Sequence, residues 1–364
     1  MGTLWVALGL AVGVSLTPAD QEVLLQLLQG VRQREAQLVA LSGTMVRHEH
    51  RTPADHELVA AIWRQVADER SLPPPPVPTV GTDDVIAVRF AIAADRLRYE
   101  TLQLAAGGLP SDGGNGLAGQ PQGTTWLDGE RRTALDRNQL SARVEPQDRH
   151  FSPASAPTIG DALLLANGNR TWGDFLARRL TLAGLPVPGA ADLDPPTGTV
   201  TALELLPPTT IDGRPATGVR IAYASPAGLA GEQSLWFAAS LGYAVVRYES
   251  SLSAGAVERN QGTSAEAMRF TEVSPGLWLP SMTKTTTWRY SAANAQLPLT
   301  ISVHRFQDLA VDPVEATVFT ADLPLGTTVH DAIEATTSNV GGVDDTLYYE
   351  LLDLDRPHVA EPAA

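Results

Sequence analysis

The chain has 364 residues, with 26 basic against 41 acidic side chains for a formal net charge of -15, and its one lysine is Lys284. Such a balance repels nucleic acid and anionic membrane surfaces at long range, which sets both aside as primary partners. Cysteine is absent, so disulfides, thiolate catalysis, Cys-based zinc sites and lipid attachment at an N-terminal Cys are excluded.

In the opening MGTLWVALGLAVGVSLTPADQ, Leu4 to Leu16 is an uncharged apolar run of secretory h-region length, followed by small residues at Thr17-Pro18-Ala19. It predicts a signal peptide over 1–19 and a periplasmic or otherwise extracytoplasmic protein. A buried N-terminal strand or helix is the other reading of so short a run. No later segment is long and apolar enough to span a membrane.

Asp20 to Leu41 sets Leu24, Leu28, Val31 and Leu38 on one helical face, capped by Thr17 or Asp20 and ended by Ser42-Gly43. TMVRHEH then alternates as a strand. A second helix over 53–70 has Thr52 as cap, Pro53 at its first position and Leu58, Ile62 and Val66 on one stripe. The proline run within 71–82 cannot continue it and reads as a stiff extended connector.

From residue 84 the pattern becomes β. Ile86, Val88, Phe90 and Ile92 share one strand face, Leu97 and Tyr99 share the next, and Ala93-Ala94-Asp95 joins them as a hairpin. A Gly-rich loop spans 105–123, and Asp128-Gly129 marks a further hairpin. Two capped starts, TIGDALLLAN and TWGDFLARRL, predict short helices within 158–183. Seven strand-like runs follow, from GTVTALELL to LTISVHRFQDL, with turns at Ile211-Asp212-Gly213 and Ser274-Pro275-Gly276, as in an antiparallel meander. In EQSLWFAASLGYAVVRYES two adjacent strands meet at Leu241-Gly242, with Leu235, Phe237, Val246 and Tyr248 inward and Arg247 and Glu249 outward. Residues 336–364 read as an irregular tail.

Motifs for chemistry are sparse. Ser281-Met282-Thr283-Lys284 matches S-x-x-K, but in β-favouring sequence Ser281 and Lys284 point to opposite faces, and a K-T-G partner is impossible without a second lysine. His48 and His50 share a strand face near His56, yet no further ligand completes a metal site. Gly262-Thr263-Ser264-Ala265-Glu266 lacks the second glycine of a nucleophile elbow, and no phosphate-cradling glycine loop precedes Lys284. Asn169-Arg170-Thr171 fits a glycan acceptor. The expectation is of no enzyme, metal or cofactor.

These runs predict an α+β fold in which a large curved antiparallel sheet carries helices on its concave face. Its inner face leaves two outcomes open, an apolar cavity or a packed core.

The leader, the amphipathic helix ending in LSGTMVRHEH, the paired strands, LWFAASLGYAVVRYES and GLWLPSMTKTTTWR together resemble the outer-membrane lipoprotein carrier (LolA/LolB/RseB-like) superfamily. The resemblance spans roughly residues 20–335. It implies an unclosed half-barrel with a helical lid over a hydrophobic cavity for acyl chains, and a lipid or lipoprotein as partner. On that footing the cavity wall comprises Ile86, Val88, Phe90, Leu97, Tyr99, Leu235, Phe237, Val246 and Tyr248. The helix and connector at 53–82, the insertion at 105–123 and the helices at 158–183 go beyond a minimal carrier, so an extracytoplasmic scaffold or envelope sensor that binds a protein partner is the alternative.

Overall fold

The computed structural model describes residues 16–70, 80–103, 120–128, 130–146, 159–167, 170–189, 198–224, 230–253, 261–290 and 296–341. The apolar leader before Leu16, most of the proline connector, the Gly-rich loop up to 119, the glycan motif at Asn169 and the end of the chain lie outside these residues.

Helix α1 runs Pro18–Glu35 behind a complete capping box, in which Thr17 Oγ1 accepts from Asp20 N and Asp20 Oδ2 accepts from Thr17 N. Cleavage before Asp20 would remove this cap. The helix stops at Glu35, earlier than the apolar spacing predicts, because strand β1 (Ala40–Arg51) already pairs from Ala40 onward with β2 (Thr82–Ala93). Leu38 therefore leaves the helical stripe and is buried in the same cluster as Leu41 of β1. Gly43 lies within β1 at a register shift, where a Cβ would stand 3.1 Å from the Gln307 carbonyl. Helix α2 (Pro53–Arg70) follows β1 and precedes β2 in the chain. Its expected cap is diverted, since Thr52 Oγ1 donates instead to the Pro298 carbonyl at 2.7 Å. Leu58 is half-buried, whereas the side chains of Ile62 and Val66 lie outside the described set.

The first meander continues with β3 (Arg96–Gln103), β4 (Gln120–Asp128), β5 (Arg131–Asp136) and β6 (Ser141–Pro146). Helix α3 (Ile159–Ala162), the short strands β7 (Ala166–Asn167) and β8 (Arg170–Thr171), and helix α4 (Trp172–Leu182) interrupt it. Thr171 caps α4 by accepting from Asp174 N. A second meander follows: β9 (Thr199–Ile211), β10 (Arg214–Ala224), β11 (Ala230–Ala238), β12 (Ala244–Ser253), β13 (Gln261–Ser274), β14 (Leu277–Tyr290) and β15 (Gln296–Ala310). Asp212 and Gly213 both have positive φ, 48° and 74°, the signature of the hairpin turn whose twist matches its strands.

The meanders join where β1 pairs with β15. Two short strands, β16 (Thr328–Asp331) and β17 (Thr336–Asn339), extend the first meander, β16 lying parallel to β6. The region expected to be irregular from residue 336 thus opens with a strand. Among the described residues the sheet has fifteen strands in the order β17-β16-β6-β5-β4-β3-β2-β1-β15-β14-β13-β12-β11-β10-β9. It is antiparallel apart from the β16–β6 pair and does not close, as β9 and β17 remain edges. Pro207 and Pro208, which lack backbone donors, fall at a register shift in the edge strand β9.

Candidate functional site

Two helical covers occupy different parts of the inner sheet face. Leu24, Leu27, Leu28 and Val31 of α1 join Phe175, Leu176 and Leu180 of α4 over Val219, Ile221, Leu235, Phe237 and Tyr248. Ile159, Leu163 and Leu165, in and after α3, pack over Met45, Val88, Phe90, Leu97 and Phe306. These contacts remove large apolar areas from water, each fully buried Leu or Phe contributing roughly 1.5–3 kcal/mol.

The nine residues expected on a cavity wall fall into three clusters. Leu235, Phe237 and Tyr248 lie beneath α1 and α4. Val88, Phe90 and Leu97 lie beneath the α3 segment, with Ile86 and Tyr99 partly buried beside them. Val246 belongs to a separate cluster with Ile211, Ala238 and Leu241. The register shows why: Phe237 pairs with Val245 and Trp236 with Arg247, so Val246 is the extra residue of a β-bulge and Val245 takes the inner position. Leu235, Phe237 and Leu97 are at most 1% exposed, so their neighbourhood is packed by side chains from the helices.

Between the two covers the inner face changes character. A recess of about 460 Å³ is lined on one side by Ala162, Leu164, Ala166, Trp172, Tyr248 and Ala265. Ser250, Thr263, Thr285 and His304 supply its polar side, and the exposed Asp161 also borders it. Trp172 spends its indole N–H on the Leu164 carbonyl at 2.9 Å and presents its ring to Tyr248, with centroids 5.0 Å apart. Below, Thr283 is fully buried, donates to the Ala162 carbonyl at 2.7 Å and lies 3.3 Å from His304 Nδ1. Burial first, and then the Arg47 charge, hold the His304 pKa down to about 4, so the imidazole is neutral near neutral pH. Arg51 and Arg47 clamp the carboxylate of Glu49 at 2.9 and 3.6 Å, which leaves that charge compensated at the adjoining end of β1.

The spacing that builds this polar side is present in MTKTTTWRY, where Thr283 and Thr285 alternate with Lys284. Thr283 and Thr285 turn inward. Lys284 is exposed and borders an outer-face recess with Arg247, Glu249 and Glu266. Ser281 and Lys284 thus occupy a strand, with no helical turn to bring them together. His50 contacts Asp83 and His56 contacts Thr82. Among the described residues no group of three or more His, Cys, Asp or Glu is arranged to hold a metal ion. A larger open groove, about 1190 Å³, follows the solvent side of α1 between its glutamines and Pro186 and Pro188. Leu28 is its one buried lining residue, and it offers no buried polar group.

With this geometry in place, the chain can be compared with known proteins. It is similar to a Vibrio parahaemolyticus structure titled "putative outer membrane lipoprotein-sorting protein domain", at 10% identity and a TM-score of 0.40, over 83% of this chain and 97% of that one. A DUF1329 family protein from Desulfovibrio piger shares 8% identity at a TM-score of 0.39, over 83% and 97% of the two chains. The lipoprotein LppX from Mycobacterium tuberculosis shares 10% identity at a TM-score of 0.25, over 81% and 98%. No family model matches the sequence, and no curated protein matches it. Among the described residues no helix is long and apolar enough to cross a membrane.

Proposed function

We propose that the protein is a non-enzymatic, extracytoplasmic binding protein that shelters an acyl chain or a similar apolar segment beneath the helical lid. One observation carries this reading. Leu164, Trp172, Tyr248 and Ala265 line the recess and are also members of the cluster that packs α1 and α4 onto the sheet. The recess therefore leads directly into the lid's own apolar contacts, and a chain entering there would exchange with lid side chains rather than cut into a separate core. Its volume falls in the range of small-molecule sites, and its wall is divided almost evenly between an apolar side and a polar one. In this reading Leu235, Phe237 and Tyr248 form the wall that becomes reachable as the lid shifts, while Val88, Phe90 and Leu97 support it from the neighbouring cluster. Lipoprotein or lipid trafficking is the role such a shelter would serve.

The experiment is mass spectrometry of lipids extracted from purified protein, together with displacement of a fluorescent fatty-acid reporter. Co-purifying lipid and saturable displacement are expected. Absence of both would sink the reading. The packed state of the expected wall favours a second one, an extracytoplasmic scaffold or sensor that binds a protein partner without a ligand cavity. An empty extract combined with a retained protein partner would select it.

A further inference from the structure

The polar side of the recess has a fixed direction of hydrogen bonding. The Thr283 hydroxyl has one hydrogen, and its 2.7 Å contact with the Ala162 carbonyl uses it. In the 3.3 Å contact with His304 Nδ1 the ring must therefore donate and the hydroxyl oxygen accept. The imidazole proton is thereby placed on Nδ1, leaving Nε2 a bare lone pair. Among the described residues Thr283 is the ring's one hydrogen-bond partner, and the ring lines the recess. A neutral imidazole fixed in this way is an acceptor waiting for a donor.

The geometry points to a recess that selects an amphiphile with an uncharged head carrying a hydroxyl or amide N–H, which donates to His304 Nε2 while the apolar chain passes Trp172 toward the lid. This assignment rests on the shelter reading above and narrows its ligand class. The Ser250, Thr263 and Thr285 hydroxyls can give or take hydrogen bonds and so suit a head with several oxygens. A carboxylate head has no hydrogen for Nε2, and the Asp161 carboxylate borders the same space. An ester head without a donor would dry out Nε2 and leave it unpaired, which weakens binding by about tenfold.

The test uses the full chain and three probes of equal chain length: 1-monopalmitoylglycerol, methyl palmitate and palmitate, each titrated against a fluorescent acyl reporter near neutral pH. The monoacylglycerol is expected to displace the reporter at about tenfold lower concentration than the other two. His304→Phe keeps a ring but removes the acceptor and should erase the preference. His304→Gln, whose side-chain oxygen accepts, should restore part of it. Circular dichroism checks that each variant folds, and if His304→Phe does not, the wild-type probe series together with His304→Gln decides. Palmitate or methyl palmitate binding as tightly as the monoacylglycerol overturns the head-group assignment and leaves the shelter reading standing. A preference that survives in folded His304→Phe overturns it too. Failure of all three probes to displace the reporter overturns both readings.

Discussion

Glu35, the last residue of α1, accepts a hydrogen bond from the backbone N–H of Gly173, in the first turn of α4, at 2.9 Å. The contact ties the two lid helices together, and the close approach explains the glycine, because a Cβ at position 173 would run into the Glu35 carboxylate and stand 3.0 Å from Arg32 Cγ. Desolvation is the main cause that pushes the Glu35 pKa up to about 7, with Asp174 adding to it and the Gly173, Thr171 and Arg34 interactions opposing it.

The sign of the resulting pH dependence follows from that direction. An unfolded glutamate loses its proton near 4.5, whereas the folded one keeps it until about 7. The contribution to stability is therefore full below 4.5 and is lost as pH rises through 7. Urea denaturation of the wild type should show stability falling by about 3 kcal/mol across this window. Glu35→Gln retains an acceptor for Gly173 and should remove most of that slope while being the more stable protein at pH 8. An unchanged slope in the variant would assign the titration to another group.

Leu176 of α4 is fully buried among α1, α4 and sheet residues. Leu176→Ala should cost about 2–5 kcal/mol, the transfer term plus the cavity left behind. The denaturation midpoint reads this directly. A loss below about 1 kcal/mol would mean that the lid is docked far more loosely than its burial implies.

Gly262 in β13 lies flat beneath the indole of Trp288 on β14, its register partner. An added Cβ would collide with the Trp288 ring on one side and with the Ser250 backbone carbonyl of β12 on the other. The ring can swing away, but the carbonyl belongs to the sheet. Gly262→Ala is expected to destabilise by about 2–3 kcal/mol and to change Trp fluorescence, since Trp288 must leave its edge contact with Tyr290 at 5.0 Å. Unaltered emission would show that the strain is taken up elsewhere.

Local chemistry was legible in the sequence wherever one residue decides the geometry. The Thr17 and Thr171 caps and the Asp212-Gly213 turn are such places, because each depends on short-range hydrogen bonds or on a positive φ. Features decided by partners far along the chain were not. The α1 stripe through Leu38 is cut short by pairing of Ala40 with Ala93, and Val246 is displaced by a bulge that only the β11–β12 register reveals. β16 and β17 are four residues each and carry too few apolar side chains for a readable alternation; backbone pairing of β16 with β6, and of β17 with β16, holds them. The recess escaped for a related reason. Its threonines lie in a readable row, but Ala162 and Trp172 reach them only through an insertion of more than a hundred residues' separation from β14.

Arg34 presents the complementary case to Glu35. Its guanidinium is buried, Nη2 donates to the Trp278 carbonyl at 2.8 Å, and Nε has no hydrogen-bond partner. Burial lowers its pKa to about 10 against the raising effect of Glu35. A buried cation whose neighbouring carboxylate, Glu35, is only about half ionised near neutral pH is poorly compensated, so an apolar residue of similar length should be tolerated. Arg34→Met is expected to be neutral or to stabilise by about 1 kcal/mol, the removed desolvation cost offsetting the lost bond to Trp278. Arg34→Ala should instead destabilise by about 2–4 kcal/mol through the cavity it leaves. The same Arg34→Met variant should move the Glu35 transition to higher pH, because it deletes a charge that favours the carboxylate. Measuring the pH slope of Arg34→Met beside Glu35→Gln and the double variant separates this coupling from simple packing, and additive effects would show that the Arg34 charge does not act on the Glu35 titration.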